Sequence, residues 1–143
     1  MQIQPYLFFN GHCEAAIAFY REALGARVDM LMRYRECPDT PPDGMLPPHW
    51  DDKIMHAELG IGEAVLMLSD GCGETPPGFK GFSLSLTVPD APTANRMFAA
   101  LMEGGKEQMP LGETFFSPRF GMVTDRFGVQ WMITLPPKEL ETT

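Results

Sequence analysis

The sequence predicts an α+β fold made of two βαβββ modules. Three observations predict it: two amphipathic helices of matching pattern, a strand-like run before each, and three strand-like runs after each. The modules span residues 1–70 and 81–135 of a single domain of 143 residues. That length is ordinary for one compact domain.

The first strand is expected over Ile3–Phe9. A helix then opens after Asn10-Gly11 and ends at Gly25, with Ala16, Phe19, Tyr20, Ala23 and Leu24 on one stripe. Asn10 or Gly11 is the expected N-cap, Glu14 suits the positive first turn, and Gly25 is the left-handed stop. Three strands follow, over Arg27–Arg35, Lys53–Leu59 and Ala64–Ser69. The second module starts with a strand over Phe82–Val88. Its helix is capped by Asp90, carries Pro92 in the first turn, and ends at Gly104-Gly105. The apolar stripe is Ala94, Met97, Phe98, Leu101 and Met102. The last strands cover Lys106–Glu113, Arg119–Thr124 and Val129–Leu135.

The helices match at an offset of 79 residues, pairing Phe19 with Phe98, Ala23 with Met102 and Gly25 with Gly104. Pairing Met67 with Met132 in the last strands gives an offset of 65, so the first module holds about 14 extra residues. They fall in Cys37–Asp52, a stretch with five prolines that must be a long loop. Gly71–Gly81 links the modules, and Pro136–Thr143 is expected to fray.

Eleven basic against 19 acidic side chains leave a formal charge of −8. Such a chain cannot neutralise a row of phosphates, which excludes a nucleic-acid partner, and it has no basic cluster for anionic lipid. No apolar run reaches membrane-span length, and Met1–Phe9 lacks the marks of a signal peptide. The expected location is the cytoplasm. Cys13, Cys37 and Cys72 form no CxxC or Cys/His pattern and read as reduced thiols.

Three segments carry a family resemblance: PYLFFNGHCEAAIAFYREALGA at 5–26, KIMHAELGIGEAVLMLSD at 53–70, and FGMVTDRFGVQWMITLP at 120–136. Together they resemble the vicinal oxygen chelate superfamily of glyoxalase I, extradiol dioxygenases, and fosfomycin and bleomycin resistance proteins. Within it the chain is similar to the PhnB-like branch, whose members often carry a 3-demethylubiquinone-9 3-methyltransferase description. The resemblance implies the glyoxalase/bleomycin resistance/dioxygenase fold, two mixed sheets curled around a cleft with helices outside, and a homodimer. In metal-dependent members, His, Gln or Glu side chains on the first and last strands of each module hold a divalent ion that polarises substrate oxygens. Aligned on helix and glycine turn, those positions fall on Pro5, Met67, Ser83 and Met132. None suits a hard or borderline ion. No cofactor is expected, and a divalent metal is disfavoured.

His56 and Glu58 share one face of a strand at i, i+2, roughly 7 Å apart. They are the candidate catalytic pair, as base and orienting partner; the alternatives are a solvated strand face or, with His49 just upstream, a metal pair. His12 reads as an exposed residue. Strand alternation places Met67, Ser83, Ser85, Gln130 and Met132 on the implied cleft, a soft, uncharged lining for a partly apolar or aromatic molecule. Trp50, Phe115, Phe116, Arg119 and Phe120 lie at its expected mouth. There the rings could stack on a planar ligand and Arg119 could pair with an anion, or the same residues could form a subunit contact. Asp125-Arg126-Phe127-Gly128 reads as turn chemistry, with Asp125 capping and Gly128 at positive φ. Gly60-Ile61-Gly62 sits between two hairpin strands with no helix after it, so no S-adenosylmethionine loop is present.

The functional reading is a metal-independent small-molecule-binding protein. The alternative is a lyase, isomerase or dioxygenase of the superfamily using His56 and Glu58. A third reading is a protein-interaction module built on Trp50 and the 37–52 loop.

Overall fold

A computed structural model describes residues 1–39, 44–73 and 78–137. Parts of the expected loop 37–52, of the linker 71–81 and of the tail 136–143 lie outside the described residues. The chain divides into two compact units, residues 1–77 and 78–143.

The first unit contains β1 (Tyr6–Phe8), α1 (Cys13–Leu24), β2 (Arg27–Arg33), β3 (Ile54–Ile61) and β4 (Ala64–Ser69). The second contains β5 (Leu84–Thr87), α2 (Ala91–Met102), β6 (Lys106–Gly112), β7 (Phe120–Thr124) and β8 (Gln130–Thr134). Both are βαβββ, and both build a four-stranded mixed sheet of the same topology, β1-β4-β3-β2 and β5-β8-β7-β6. In each, the first strand runs parallel to the last and the other pairs are antiparallel. The repeat in the sequence is therefore a repeat in strand order.

Strand edges depart from expectation where backbone chemistry intervenes. The second strand stops at Arg33, because Tyr34–Glu36 turn into a short 3₁₀ segment. The Glu36 carboxylate accepts from the Arg33 N–H at 3.1 Å and fixes that turn.

Each helix covers one face of its own sheet. In the first unit Ala16, Ile17, Tyr20 and Leu24 of α1 are buried, as are Leu7, Ala57, Leu59, Leu66 and Leu68 of the strands. Alternation sends Tyr6, Phe8, His56, Glu58 and Met67 to the opposite face. In the second unit Ala94, Phe98 and Leu101 of α2 are buried together with Val123, Trp131 and Ile133. Gly121 permits the close approach: a Cβ there would meet the Phe98 ring at 2.9 Å. Phe19, Met97 and Met102, expected on the stripes, are only half-buried.

The cap of α1 corrects the expectation. His12, not Asn10 or Gly11, is the N-cap, and it makes no side-chain cap bond. Asn10 and Gly11 instead form the turn before it, at φ 47° and 97°. The missing acceptor comes from Asp70, just past β4. Its Oδ1 accepts from the N–H groups of Gly11 (2.7 Å) and Cys13 (2.8 Å), and its Oδ2 accepts from Ile54 N–H (2.8 Å). A buried carboxylate thus satisfies the orphan donors of the helix start. In α2 the local cap holds as expected: Asp90 accepts from Thr93 N–H at 2.8 Å. Gly25 and Gly104 end the helices at φ 67° and 74°.

The 125–128 segment is a turn around a second buried carboxylate. Asp125 accepts from Phe127 N–H at 2.8 Å, Val129 N–H at 3.1 Å and the Trp131 indole N–H at 2.9 Å. Gly128 sits at φ 91°.

Candidate functional site

On the first unit's open face, strand register sets the positions. Tyr6 pairs with Met67, Met67 with Glu58, and Glu58 with Met30. This is one row of side chains across four strands. His56 lies one step along β3, opposite Met32. Period-2 alternation puts His56 and Glu58 together, as their spacing predicts.

Tyr6 completes the group. Its hydroxyl lies 2.8 Å from His56 Nδ1, and the two rings are 5.4 Å apart. His56 Nε2 lies 3.6 Å from Glu58 Oε2, too long for a hydrogen bond but close enough for the carboxylate to orient the imidazole. The carboxylate favours the proton on Nε2, which leaves Nδ1 to accept the Tyr6 O–H. Burial pushes the Tyr6 phenol above its ordinary range, although the nearby Ser69 hydroxyl works the other way. The Tyr6 ring stacks on Phe8 at 5.0 Å, and both rings are partly exposed, at 39% and 53%. The face thus offers an aromatic ledge, two flanking methionines and a phenol–imidazole–carboxylate chain.

The end of this face is closed by Tyr34 and Trp50, 6.3 Å apart. The Tyr34 hydroxyl donates to Gly71 O at 2.6 Å, and burial raises this phenol too. A Cβ on Gly73 would meet the Trp50 ring at 3.0 Å, so Trp50 packs on the chain that leaves β4. His49 stands in the loop at φ 67°, and His12 is exposed.

In the second unit the matching row is Ser85, Met132, Met122 and Met109. Ser83 and Gln130 meet at 3.5 Å, and Gln108 donates to Thr124 Oγ1 at 3.1 Å. This face is uncharged apart from its margins. Phe115, Phe116 and Phe120 form a separate ring cluster with successive centroids 5.1 Å apart. Arg119, a candidate either to pair with an anion or to form a subunit contact, donates from Nε to Asn95 Oδ1 at 2.6 Å.

The row positions expected of metal ligands shift by a residue or two. Pro5 precedes β1 and contributes its carbonyl to Met67 N–H at 3.0 Å, so Tyr6 is the side chain beside Met67. Ser83 precedes β5, so Ser85 is the one beside Met132. The helix offset of 79 carries Tyr6 onto Ser85; applying it to the strands is the signal that finds both. A phenol, a hydroxyl and two thioethers do not fit a hard or borderline divalent ion. Among the described residues, no group of three or more His, Cys, Asp or Glu side chains could hold a metal ion. The three cysteines are free thiols.

Residues 2–133 match the model of the Glyoxalase/Bleomycin resistance protein/Dioxygenase superfamily. Protein YjdN of Escherichia coli strain K12 is 37% identical over 142 residues, covering 94% of this chain and 95% of that protein. The crystal structure of protein PA1353 from Pseudomonas aeruginosa is 45% identical, with a TM-score of 0.83 over 96% of this chain and 99% of that one. The PhnB protein from Bacillus cereus, provisionally described as a 3-demethylubiquinone-9 3-methyltransferase, is 25% identical, with a TM-score of 0.76 over 94% and 99%. Among the described residues, no helix is long and apolar enough to cross a membrane.

Proposed function

The chain belongs to the glyoxalase/bleomycin resistance protein/dioxygenase superfamily, and on that footing we propose that it binds a small, partly aromatic molecule without the family's divalent metal. Membership supports small-molecule binding. The observation that carries the finer reading is the Tyr6–His56 contact of 2.8 Å beside the stacked Tyr6 and Phe8 rings. A flat ring can lie on this ledge and against the Met67 thioether, while a polar substituent meets the phenol. The row chemistry of Tyr6, Met67, Ser85 and Met132 supports the metal-free part. The methyltransferase description stays with the B. cereus protein. Here each sheet has one parallel strand pair, and Gly60-Ile61-Gly62 turns from β3 into β4 with no helix behind it. The family resemblance supports a homodimer, and the charge of −8 speaks against a nucleic-acid partner.

Elemental mass spectrometry tests the metal. Purified protein is incubated anaerobically with Ni²⁺, Zn²⁺, Mn²⁺ and Fe²⁺, then desalted. No retained ion is the expected result, and near-stoichiometric retention that His56→Ala removes overturns it. A thermal-shift screen of aromatic metabolites tests the ligand. A rise in Tm that Tyr6→Ala and Phe8→Ala both abolish is expected; a rise indifferent to both places the ligand elsewhere.

A further inference from the structure

We infer that Tyr6 is the catalytic acid–base of a proton-transfer activity, refilled by His56 and Glu58, that tautomerises an enolisable carbonyl compound bearing an aromatic ring. This rests on the reading of the open face of the first unit as the ligand site. The order of the groups carries it. Glu58 lies by Nε2, the Tyr6 hydroxyl lies 2.8 Å from Nδ1, which accepts its proton in the tautomer that the carboxylate favours, and the phenol oxygen keeps a lone pair for a substrate. His56 is the more enclosed member, with 22% of its side chain exposed against 36% for Glu58. Tyr6 lies on β1, at the edge of its sheet, with its ring partly open. A substrate on the Phe8 ledge therefore meets Tyr6 before it meets His56.

The step balances without a co-reactant. The Tyr6 oxygen takes the proton from the carbon next to the carbonyl, and its own proton passes to His56 Nδ1. The C–H electron pair becomes the enolate double bond. The imidazolium forms beside the Glu58 carboxylate, which compensates its charge. Return of a proton from His56 through Tyr6 to the enolate oxygen releases the enol. Because burial holds the phenol above its ordinary range, a free phenolate is not stored in advance. The proton must leave Tyr6 as the substrate's proton arrives, which is what a relay does. His56 and Glu58 act through Tyr6 and are positioning residues.

The test uses the full chain in D₂O with phenylpyruvate, 4-hydroxyphenylpyruvate and 1-phenylbutane-1,3-dione. Deuterium entry next to the carbonyl is followed by proton NMR, and binding by saturation-transfer difference. The expected acceleration is on the order of 100-fold over buffer for at least one probe. Tyr6→Phe should lose it while still binding. His56→Gln can accept the Tyr6 O–H but cannot take its proton, so it should lower kcat at least about tenfold with little change in KM. Glu58→Gln should give a smaller loss. A thermal melt of each variant confirms that it is folded. Binding without deuterium entry above buffer overturns the relay and leaves the ligand-binding reading standing. Entry at the normal rate in Tyr6→Phe overturns the role of Tyr6. Neither binding nor entry with any probe overturns the substrate class and counts against the ligand site itself.

Discussion

The Cys13 backbone N–H donates to the Asp70 carboxylate at 2.8 Å, joining the first turn of α1 to a residue 57 positions later. With Gly11 and Ile54 on the same carboxylate, one side chain ties the helix start, the start of β3 and the end of β4. That knot holds the first unit's open face in register, since His56 follows Ile54 by two residues and β4 separates Tyr6 from His56.

Asp70→Ala should therefore destabilise the protein strongly. Three buried or half-buried N–H groups lose their acceptor at once, and the expected loss is about 3–5 kcal/mol. Asp70→Asn keeps one acceptor oxygen and should lose less. Urea unfolding followed by circular dichroism measures both; a loss below about 1 kcal/mol in the alanine variant would show that water replaces the carboxylate.

Trp131 is 1% exposed and its indole N–H donates to Asp125. Trp131→Phe removes that bond and leaves a space beneath α2, and should cost about 2–3 kcal/mol. Trp50 emission and circular dichroism in urea would follow the transition, and an unchanged midpoint would deny the Trp131–Asp125 bond a stabilising role.

The cysteines should differ in reactivity. Cys13 is fully buried, and burial, with the nearby Asp70 carboxylate adding to it, pushes its thiol far above the ordinary range. Cys37 and Cys72 are partly exposed. Native protein treated with iodoacetamide should gain two adducts, on Cys37 and Cys72, and a third only in urea. Intact-mass spectrometry and peptide mapping decide it; early labelling of Cys13 would mean that the start of α1 opens.

Glu14 gives a small acid dependence. The hydrogen bond from Arg33 lowers its carboxyl below the ordinary range, against the opposing effect of burial. Its folded value is thus below its unfolded value. The pair stabilises fully above the unfolded carboxylate value, and the contribution disappears as pH falls through the lowered folded value. Glu14 is 69% exposed, so solvent screening keeps this under about 1 kcal/mol. The urea midpoints of the parent and Glu14→Gln should differ at pH 7 and converge as pH falls through the lowered folded value; a gap that does not change with pH would assign the effect to packing.

Both helices, all eight strands and the repeat were legible because each rests on local periodicity and on stop signals such as Gly25, Gly104 and Asp90. The adjacency of His56 and Glu58 was legible for the same reason, since i, i+2 residues share a strand face. Tyr6 was not. Its partner lies 50 residues away, and a slip of one position on a three-residue strand put Pro5 in its place. The helix N-cap was missed for a related reason: the local residues Asn10 and Gly11 were asked to supply an acceptor that comes from Asp70.

The sequence by itself determined the α+β modules, the buried stripes and the soft, uncharged character of Met67 and Met132, because these follow from side-chain type and spacing along the chain. Only the tertiary structure decided that Tyr6 meets His56, that Asp70 caps α1, and that Arg119 is engaged by Asn95. Each depends on strand order and cross-strand register, which bring together residues whose separation along the chain carries no period to read.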